Sequence, residues 1–195
     1  MRKLIVTNIV SLDGYFEGPG RNVMALPMDG SFDDHNLERL RSADTLLLGR
    51  TTYEMFKGFW PQMAHNPNAT PTHREISRLD DTIAKVVVSD TLRPADTGPW
   101  LDTTRIVSRA QAHQAIAALK SAPGKDILVF GSRTLWNDLL GAGLVDELHL
   151  MVGAVVLGGG TAAFRQPPPR PLRLIETRTW EGSSNVVVRY GVDAP

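Results

Sequence analysis

Short apolar runs alternate with segments of helical periodicity along most of the chain. Runs that are apolar throughout are typical of strands buried on both faces, whereas apolar residues three or four apart are typical of amphipathic helices. The alternation therefore predicts strand–helix–strand units and a mostly parallel sheet with helices on both faces. The predicted fold class is α/β, a three-layer αβα sandwich.

The element boundaries follow from the same patterns. Strands are predicted at 3–10, 45–48, 84–89, 105–108, 126–130, 145–157, 172–180 and 186–192, and helices at 33–42, 50–59, 75–79, 111–121 and 133–140. Segment 61–73 carries three prolines and 93–103 carries two, without periodicity, so both are predicted loops. The last two strands flank a Glu-Gly-Ser-Ser turn and predict a C-terminal antiparallel hairpin. Both loops lie inside one alternating series, which predicts a single domain over residues 1–195.

Composition narrows the classes of function. Basic and acidic residues balance at 21 each, and a protein that binds nucleic acid normally has a basic excess, so no nucleic-acid partner is expected. No stretch approaches the roughly 20 apolar residues of a membrane span. The chain has no cysteine, and its five histidines are scattered without metal-ligand spacing. We expect a cytoplasmic protein with no metal site.

Two turns share one design, in which an apolar strand runs into glycine and then into hydroxyl and arginine residues where a helix begins. They are Gly49-Arg50-Thr51-Thr52, after Leu46–Leu48, and Gly131-Ser132-Arg133-Thr134-Leu135, after Leu128–Phe130. A helix N-terminus offers free N–H groups, glycine lets a phosphate approach, and arginine adds a bidentate donor. Each turn alone could simply combine a turn glycine with a helix cap. Two of them favour a nucleotide with more than one phosphate.

Several motifs, in this order and spacing, resemble the dihydrofolate reductase-like superfamily over nearly the whole chain. The branch is the one that shares the C-terminal reductase domain of bacterial riboflavin-biosynthesis proteins. The motifs are Ser11-Leu12-Asp13-Gly14, Leu48–Glu54, Lys85–Ser89, Gly131 with its following helix, Leu144–Leu148 and Leu157–Gly160.

The resemblance implies NADPH as cofactor. By position, the Gly49–Thr52 turn would bind phosphate on the adenosine side, and Ser89 would lie by the ribose or its 2′-phosphate. The Gly131–Leu135 turn would hold the diphosphate. The loop that begins at Asp13 and Gly14 would lie over nicotinamide and substrate.

Two positions differ from the pattern of these relatives. Phe130-Gly131-Ser132 stands where the riboflavin reductases usually have Glu-Gly-Gly, so an expected acid is missing. Asp90 follows Ser89, where relatives often have a basic residue.

Four residues are candidates for the chemistry of a substrate. Asp13, which matches a substrate-facing aspartate of the riboflavin enzymes, is the first candidate for orientation or proton delivery, or is only an Asp-Gly turn residue. Asp33 could supply a carboxylate to the pocket, as the first residues of that helix do in folate reductases, although at least one of Asp33 and Asp34 is expected to cap the helix. Phe56 and Trp60 could wall a substrate pocket or belong to the core.

Together these features predict an NADPH-dependent reductase of a small heterocycle, pterin- or ribosylaminopyrimidine-like. The alternative is a nucleotide-binding or ligand-sequestering module of the same fold without turnover. The resemblance also implies a homodimer.

Overall fold

A computed structural model describes residues 1–192 of the chain. Its strands and α-helices are, in chain order, β1 (Leu4–Ser11), β2 (Tyr15–Glu17), α1 (Gly30–Ser42), β3 (Ala43–Gly49), α2 (Arg50–Met63), α3 (Pro71–Thr82), β4 (Ala84–Val88), β5 (Thr104–Val107), α4 (Ala112–Ser121), β6 (Asp126–Phe130), α5 (Arg133–Gly141), β7 (Glu147–Gly153), β8 (Thr161–Ala162), β9 (Leu172–Thr179) and β10 (Val186–Val192).

Eight strands form one sheet in the order β5-β4-β3-β6-β1-β7-β10-β9, and β2 pairs with β8 in a second, two-stranded sheet. The strands from β5 to β7 are parallel to their neighbours, whereas β10 runs antiparallel to both β7 and β9. The predicted mostly parallel sheet with a C-terminal antiparallel hairpin is therefore confirmed.

Both faces of the parallel strands are buried, which explains why these strands are apolar throughout. In β3, Leu46 and Leu48 pack into the cluster that includes residues of α1, α2 and α3, whereas Leu47 packs on the opposite face with residues of α4 and α5. All three leucines are fully buried. The two larger buried clusters consequently lie on opposite sides of the sheet, and a smaller third cluster surrounds Ile9, Leu26, Met151 and Val187.

The predicted loop over residues 61–73 is wrong at both ends. Helix α2 continues through Pro61 to Met63, and α3 begins at Pro71. The end of α2 is stabilised by Ser77 of α3, whose hydroxyl donates to the Trp60 carbonyl (2.6 Å) and accepts from the Ala64 N–H (3.1 Å). A neighbouring helix thus satisfies the groups that a helix end leaves free.

Strand β7 is shorter than the predicted strand over 145–157 at both ends, because it begins at Glu147 and ends at Gly153. At that glycine a Cβ atom would lie 2.7 Å from the ring of Pro27, so the close approach of another loop fixes the end of the strand.

Strand β9 forms one edge of the eight-stranded sheet and exposes Leu174 and Ile175. The homodimer stays a prediction.

Over residues 1–192, no helix combines the length and the apolar character that crossing a membrane requires.

Candidate active site

The two glycine turns lie side by side, because β3 and β6 are paired in parallel and end at the same edge of the sheet. Two hydrogen bonds join the turns. The Gly49 N–H donates to the Ser132 hydroxyl (2.9 Å), and the Ser132 N–H donates to the Thr52 hydroxyl (2.9 Å). Ser132 and Thr52 are buried. We call the joined turns, residues 49–52 and 131–135, the paired-turn site.

The backbone of the second turn requires glycine. Gly131 and Ser132 both have left-handed conformations, with φ of 52° and 47°. A Cβ atom at Gly131 would lie 3.0 Å from both Cγ2 and Oγ1 of Thr52. A larger residue would therefore strain the backbone and push the two turns apart.

Helices α2 and α5 begin at this site without a side-chain cap from any described residue. By contrast, Asp29 caps α1 by accepting from the Ser31 N–H (3.0 Å), and Thr70 caps α3 by accepting from the His73 N–H (3.0 Å). The first turns of α2 and α5 also contain no acidic residue. Two partial positive charges consequently meet at the paired-turn site, which suits a phosphate.

The predicted residues of the site contribute in different ways. Thr51 and Thr134 are exposed in the first turns of their helices. Leu135 packs in the core, so only its backbone N–H remains available to a ligand. Arg133 donates from Nε to the carbonyl of Ala162, and Arg50 donates to the hydroxyl of Thr91 (2.6 Å).

Ser89 follows β4, the strand next to β3, and has a local role. Its buried hydroxyl accepts from the N–H groups of Thr91 (3.2 Å) and Leu92 (3.0 Å), and so stabilises its own turn. The exposed groups at this strand end include Arg50, Asp90 and Thr91.

The neighbouring Asp90 is contacted by Arg109, which comes just after the adjacent strand β5. Its carboxylate accepts from the Arg109 N–H (2.9 Å) and lies 3.6 Å from Arg109 Nε. The Arg109 side chain is 81% exposed. The basic group of Arg109 therefore stands beside the Asp90 carboxylate.

Asp13 lies in the turn between β1 and β2, and its exposed carboxylate is held by three donors. They are the Ser11 hydroxyl (2.7 Å) and the N–H groups of Leu157 (3.1 Å) and Gly158 (2.8 Å). The Ser11 hydrogen bond, with help from the two N–H groups, lowers the pKa of Asp13 to about 2. The ionised carboxylate can orient a neighbouring loop or a substrate, but it carries no proton to donate at neutral pH.

The strand β8 connects this turn to the paired-turn site. The Ala163 N–H donates to the Gly14 carbonyl (2.9 Å), and the side chain of Asn137 in α5 donates to the Ala163 carbonyl (3.0 Å). Arg133 also donates to the Ala162 carbonyl. The first two turns of α5 therefore bind residues 162–163, and Ala163 in turn binds the loop that contains Gly14.

Three of the predicted substrate residues meet in one cluster. Asp33 Oδ2 lies 2.7 Å from Nε2 of His73, and the His73 ring packs against Trp60 with centroids 5.8 Å apart. Phe56 contacts Trp60 on one side and Phe130, which precedes Gly131, on the other. We call these residues the aromatic–acid cluster. Phe130, Phe56 and Trp60 also pack in the core, as one of the two interpretations expected. That Phe56 and Trp60 wall a substrate pocket stays a prediction.

The expected cap of α1 by Asp33 or Asp34 is wrong, because the helix begins earlier, at Gly30, and Asp29 caps it. Asp33 is thereby free to contact His73. Burial raises the pKa of the Asp33 carboxyl, and the charge and hydrogen bond of His73 oppose that shift.

Comparison with known proteins now gives the family. The RibD C-terminal domain family matches residues 2–188. This chain belongs to that family.

Two kinds of comparison, of sequence and of solved structure, match this RibD C-terminal domain over nearly its whole length. The uncharacterized protein YyaP of Bacillus subtilis (strain 168) is 31% identical over 189 residues, which cover 95% of this chain and 92% of YyaP. A putative riboflavin biosynthesis protein from Shewanella sp. PV-4 superposes with a TM-score of 0.71 at 19% identity and covers 98% of this chain and 99% of its own. A dihydrofolate reductase from Enterococcus faecalis, solved in complex with NADP(H), superposes with a TM-score of 0.59 at 15% identity and covers 98% and 97%. The fold is dihydrofolate reductase-like.

Two residues of this RibD C-terminal domain were missed by sequence reasoning. His73 was placed in a loop, although the Thr70-Pro71 pair before it is typical of a helix start. Arg109 comes just after β5, and the signal in the sequence was its place directly after the predicted strand over 105–108. Among residues 1–192, no group of three or more histidine, aspartate or glutamate side chains is arranged to hold a metal.

Proposed function

We propose that this RibD C-terminal domain is an NADPH-dependent reductase of a small heterocyclic substrate, pterin- or ribosylaminopyrimidine-like. The observation that carries the proposal is the paired-turn site, in which the uncapped N-termini of two helices are joined through Ser132. The complex of the Enterococcus faecalis relative with NADP(H) supports the choice of a nicotinamide cofactor.

The residues present fit a dinucleotide phosphate. Gly131–Leu135 would bind the diphosphate through backbone N–H groups, and Gly49–Thr52 would bind phosphate on the adenosine side. Exposed Arg50, after β3, and Arg109, after β5, flank the end of β4 and favour a 2′-phosphate, and therefore NADPH over NADH. Each also lies near a carboxylate, Glu54 and Asp90 respectively, with which a bound phosphate would share the guanidinium. When bound, NADPH supplies the hydride.

The aromatic–acid cluster would bind the substrate beside Gly131. The faces of Phe56 and Trp60 offer stacking surface to a planar ring. The Asp33 carboxylate would accept the paired N–H donors of an aminopyrimidine edge, since a carboxylate offers two acceptor oxygens. Asp13 would orient the substrate and the 157–158 loop rather than deliver the proton.

A substitution at Gly49 separates binding from folding. The residue has φ of −81° and ψ of 160°, the usual conformation of an N-cap, and a Cβ atom there would meet Ser132 only at 3.8 Å. Gly49→Asp should therefore cap α2 and raise or preserve the melting temperature of the free protein. It should abolish the increase in melting temperature that NADPH gives to the wild-type protein, because the new carboxylate repels and replaces a phosphate. Thermal unfolding with NADPH and NADH measures both effects.

Gly58→Asp is the matched control, since it adds the same charge to α2 at an exposed position with no atom within 4 Å of the new Cβ. This variant should keep the NADPH response. An equal response in Gly49→Asp, or none in the wild-type protein, would refute the binding site. Binding without oxidation of NADPH in the presence of pterin and aminopyrimidine substrates would instead favour the non-catalytic module.

A further inference from the structure

A polar cavity of about 200 Å³ lies between α1 and the β9–β10 hairpin, two strands away from the paired-turn site. Its polar lining consists of His35, Glu38 and Arg39 from the helix and Glu176, Arg178 and Arg189 from the hairpin. Arg189 is paired in register with His149, near the start of β7. The cavity is therefore also displaced toward the amino end of that strand, whereas the candidate active site lies at carboxyl ends. We call it the α1–hairpin cavity.

The two arginines of the hairpin are neutralised by carboxylates. Arg178 forms a bidentate pair with Glu38 (2.6 and 3.0 Å), and Arg189 pairs with Glu176 (2.6 Å) and with the buried Glu147 (3.3 Å). These side chains are partly exposed, except for that of Glu147, which is buried. Their charges leave little net attraction for a ligand.

Arg39 is different. Within the described range, no ion pair involves its guanidinium, and its buried Nε atom has no hydrogen-bond partner. Burial, followed by the nearby charge of Arg189, lowers the pKa of Arg39. The Arg39 guanidinium is thus partly buried without a direct partner, although Glu38 contributes negative charge nearby, and a negative group that bonds to it would supply the missing partner.

His35 adds a second orphaned group. Its side chain is 4% exposed and lines the cavity, and its Nε2 atom has no partner among residues 1–192. The ring of the fully buried His149 lies next to that of His35, with centroids 5.9 Å apart. The Nδ1 atom of His149 also has no hydrogen-bond partner among the described residues. Burial lowers the pKa of His35 to about 3, so the ring is neutral and can donate from Nε2 in one tautomer. Buried polar atoms in native proteins are normally satisfied, so this cluster indicates a missing partner.

We propose that the α1–hairpin cavity binds a small oxyanion, the phosphate or carboxylate group of a small molecule, between Arg39 and His35. The guanidinium supplies the charge and a forked donor, and the imidazole supplies a neutral N–H. The ion pairs Arg178–Glu38 and Arg189–Glu176 keep the rest of the cavity lining close to neutral. The site is independent of the proposed reductase activity.

Histidine side-chain NMR tests the proposal on the wild-type protein at neutral pH, because the chain has only five histidines. Sodium phosphate and sodium malonate are titrated separately, with sodium chloride at matched ionic strength as the reference. The expected result is a saturable change in the ring nitrogens of His35 with at least one oxyanion, and the stronger response identifies phosphate or carboxylate chemistry. Phosphate bound at the paired-turn site would leave the His35 ring unchanged, since β1 and β7 separate the two places.

Arg39→Gln should weaken this response at least tenfold. Arg41→Gln is the matched control, because Arg41 lies on the same helix but pairs with Glu75 on the surface. The proposal is overturned if His35 responds to neither oxyanion, if chloride gives the same change, or if Arg39→Gln responds like the wild-type protein. Should Arg39→Gln fail to fold, the Nε–H signal of Arg39 in the wild-type protein decides: a saturable shift supports the site, and no shift overturns it.

Discussion

Asp80, in the last turn of α3, is 1% exposed, and neither of its carboxylate oxygens has a hydrogen-bond partner in residues 1–192. Lys85, equally buried, uses its ammonium group on the carbonyls of Asp80 and Ile83 and on the hydroxyl of Thr103. Burial raises the pKa of Asp80 to about 7, although the charge of Lys85 opposes the shift. The carboxyl therefore stays protonated in the fold at pH values where it ionises in the unfolded chain.

The stability of the protein should accordingly fall as pH rises from about 4 to about 7. In that range the folded state binds a proton that the unfolded state, with a pKa near 3.8, has lost. Asp80→Asn should remove this slope, so that its stability relative to the wild-type protein rises by at least about 1 kcal/mol between pH 4 and pH 8. Urea unfolding at several pH values measures the effect. The exposed Asp102→Asn serves as control, and parallel profiles of Asp80→Asn and wild-type protein would contradict the assignment.

Among the helices, α3 depends on its first residues. Thr70 caps it, and Pro71 occupies the first position, where the missing N–H of proline costs nothing. This start places His73 in the first turn, where it meets Asp33 of α1. The cap consequently supports both the helix and the aromatic–acid cluster.

Thr70→Ala should lower the free energy of unfolding by about 1 kcal/mol, because the N–H of His73 loses its acceptor. It should also loosen the contact between His73 and Asp33, which the ring signals of His73 would report. Thr82→Ala, which removes an exposed hydroxyl at the other end of α3, should cost less. Equal losses in chemical denaturation would show that the cap is not responsible.

Local patterns predicted the elements better than their ends. The apolar runs of β3, β4 and β6 were placed within two residues, because burial on both faces leaves a plain signal. The loop predicted over 61–73 failed because prolines were counted without their positions: Pro71 starts a helix and Pro61 is accommodated near the end of one.

Some contacts of the candidate site were likewise predictable from local patterns, and others were not. The meeting of Gly49 and Gly131 was predictable, since parallel strands end at a common edge. The contact of Asp33 with His73 and that of Asp90 with Arg109 join separate segments, and they depend on how helices and strand ends pack. The α1–hairpin cavity likewise arises only when a helix covers the hairpin.

Across the whole molecule, Glu147 ties the antiparallel hairpin to the parallel strands. Its buried carboxylate binds Lys3 before β1 (2.6 Å), His149 in β7 (2.8 Å) and Arg189 in β10 (3.3 Å). Hydrogen bonds from His149, and then from Lys3 and Arg189, hold the pKa of Glu147 well below its usual range. This stabilisation is complete above the pKa of an unfolded glutamate and declines as pH falls below it.

Glu147→Gln should therefore destabilise the protein by about 2 kcal/mol at pH 7, because Lys3, His149 and the partly buried Arg189 lose the charged acceptor that they share. The difference from the wild-type protein should shrink at pH 3. Denaturant unfolding at both pH values tests this, with the surface variant Glu75→Gln expected to change stability by less than about 1 kcal/mol. An equal difference at pH 7 and pH 3 would contradict the expectation.

The uncapped starts of α2 and α5 have a practical consequence for work with the purified protein. Sulfate and phosphate buffers supply anions that helix N-termini accept, so a melting temperature recorded in them already contains part of a ligand effect. Screening in an uncharged or cationic buffer would restore the full signal. On the proposed function, small acidic fragments should compete with the cofactor for the paired turns and could be extended toward the aromatic rings.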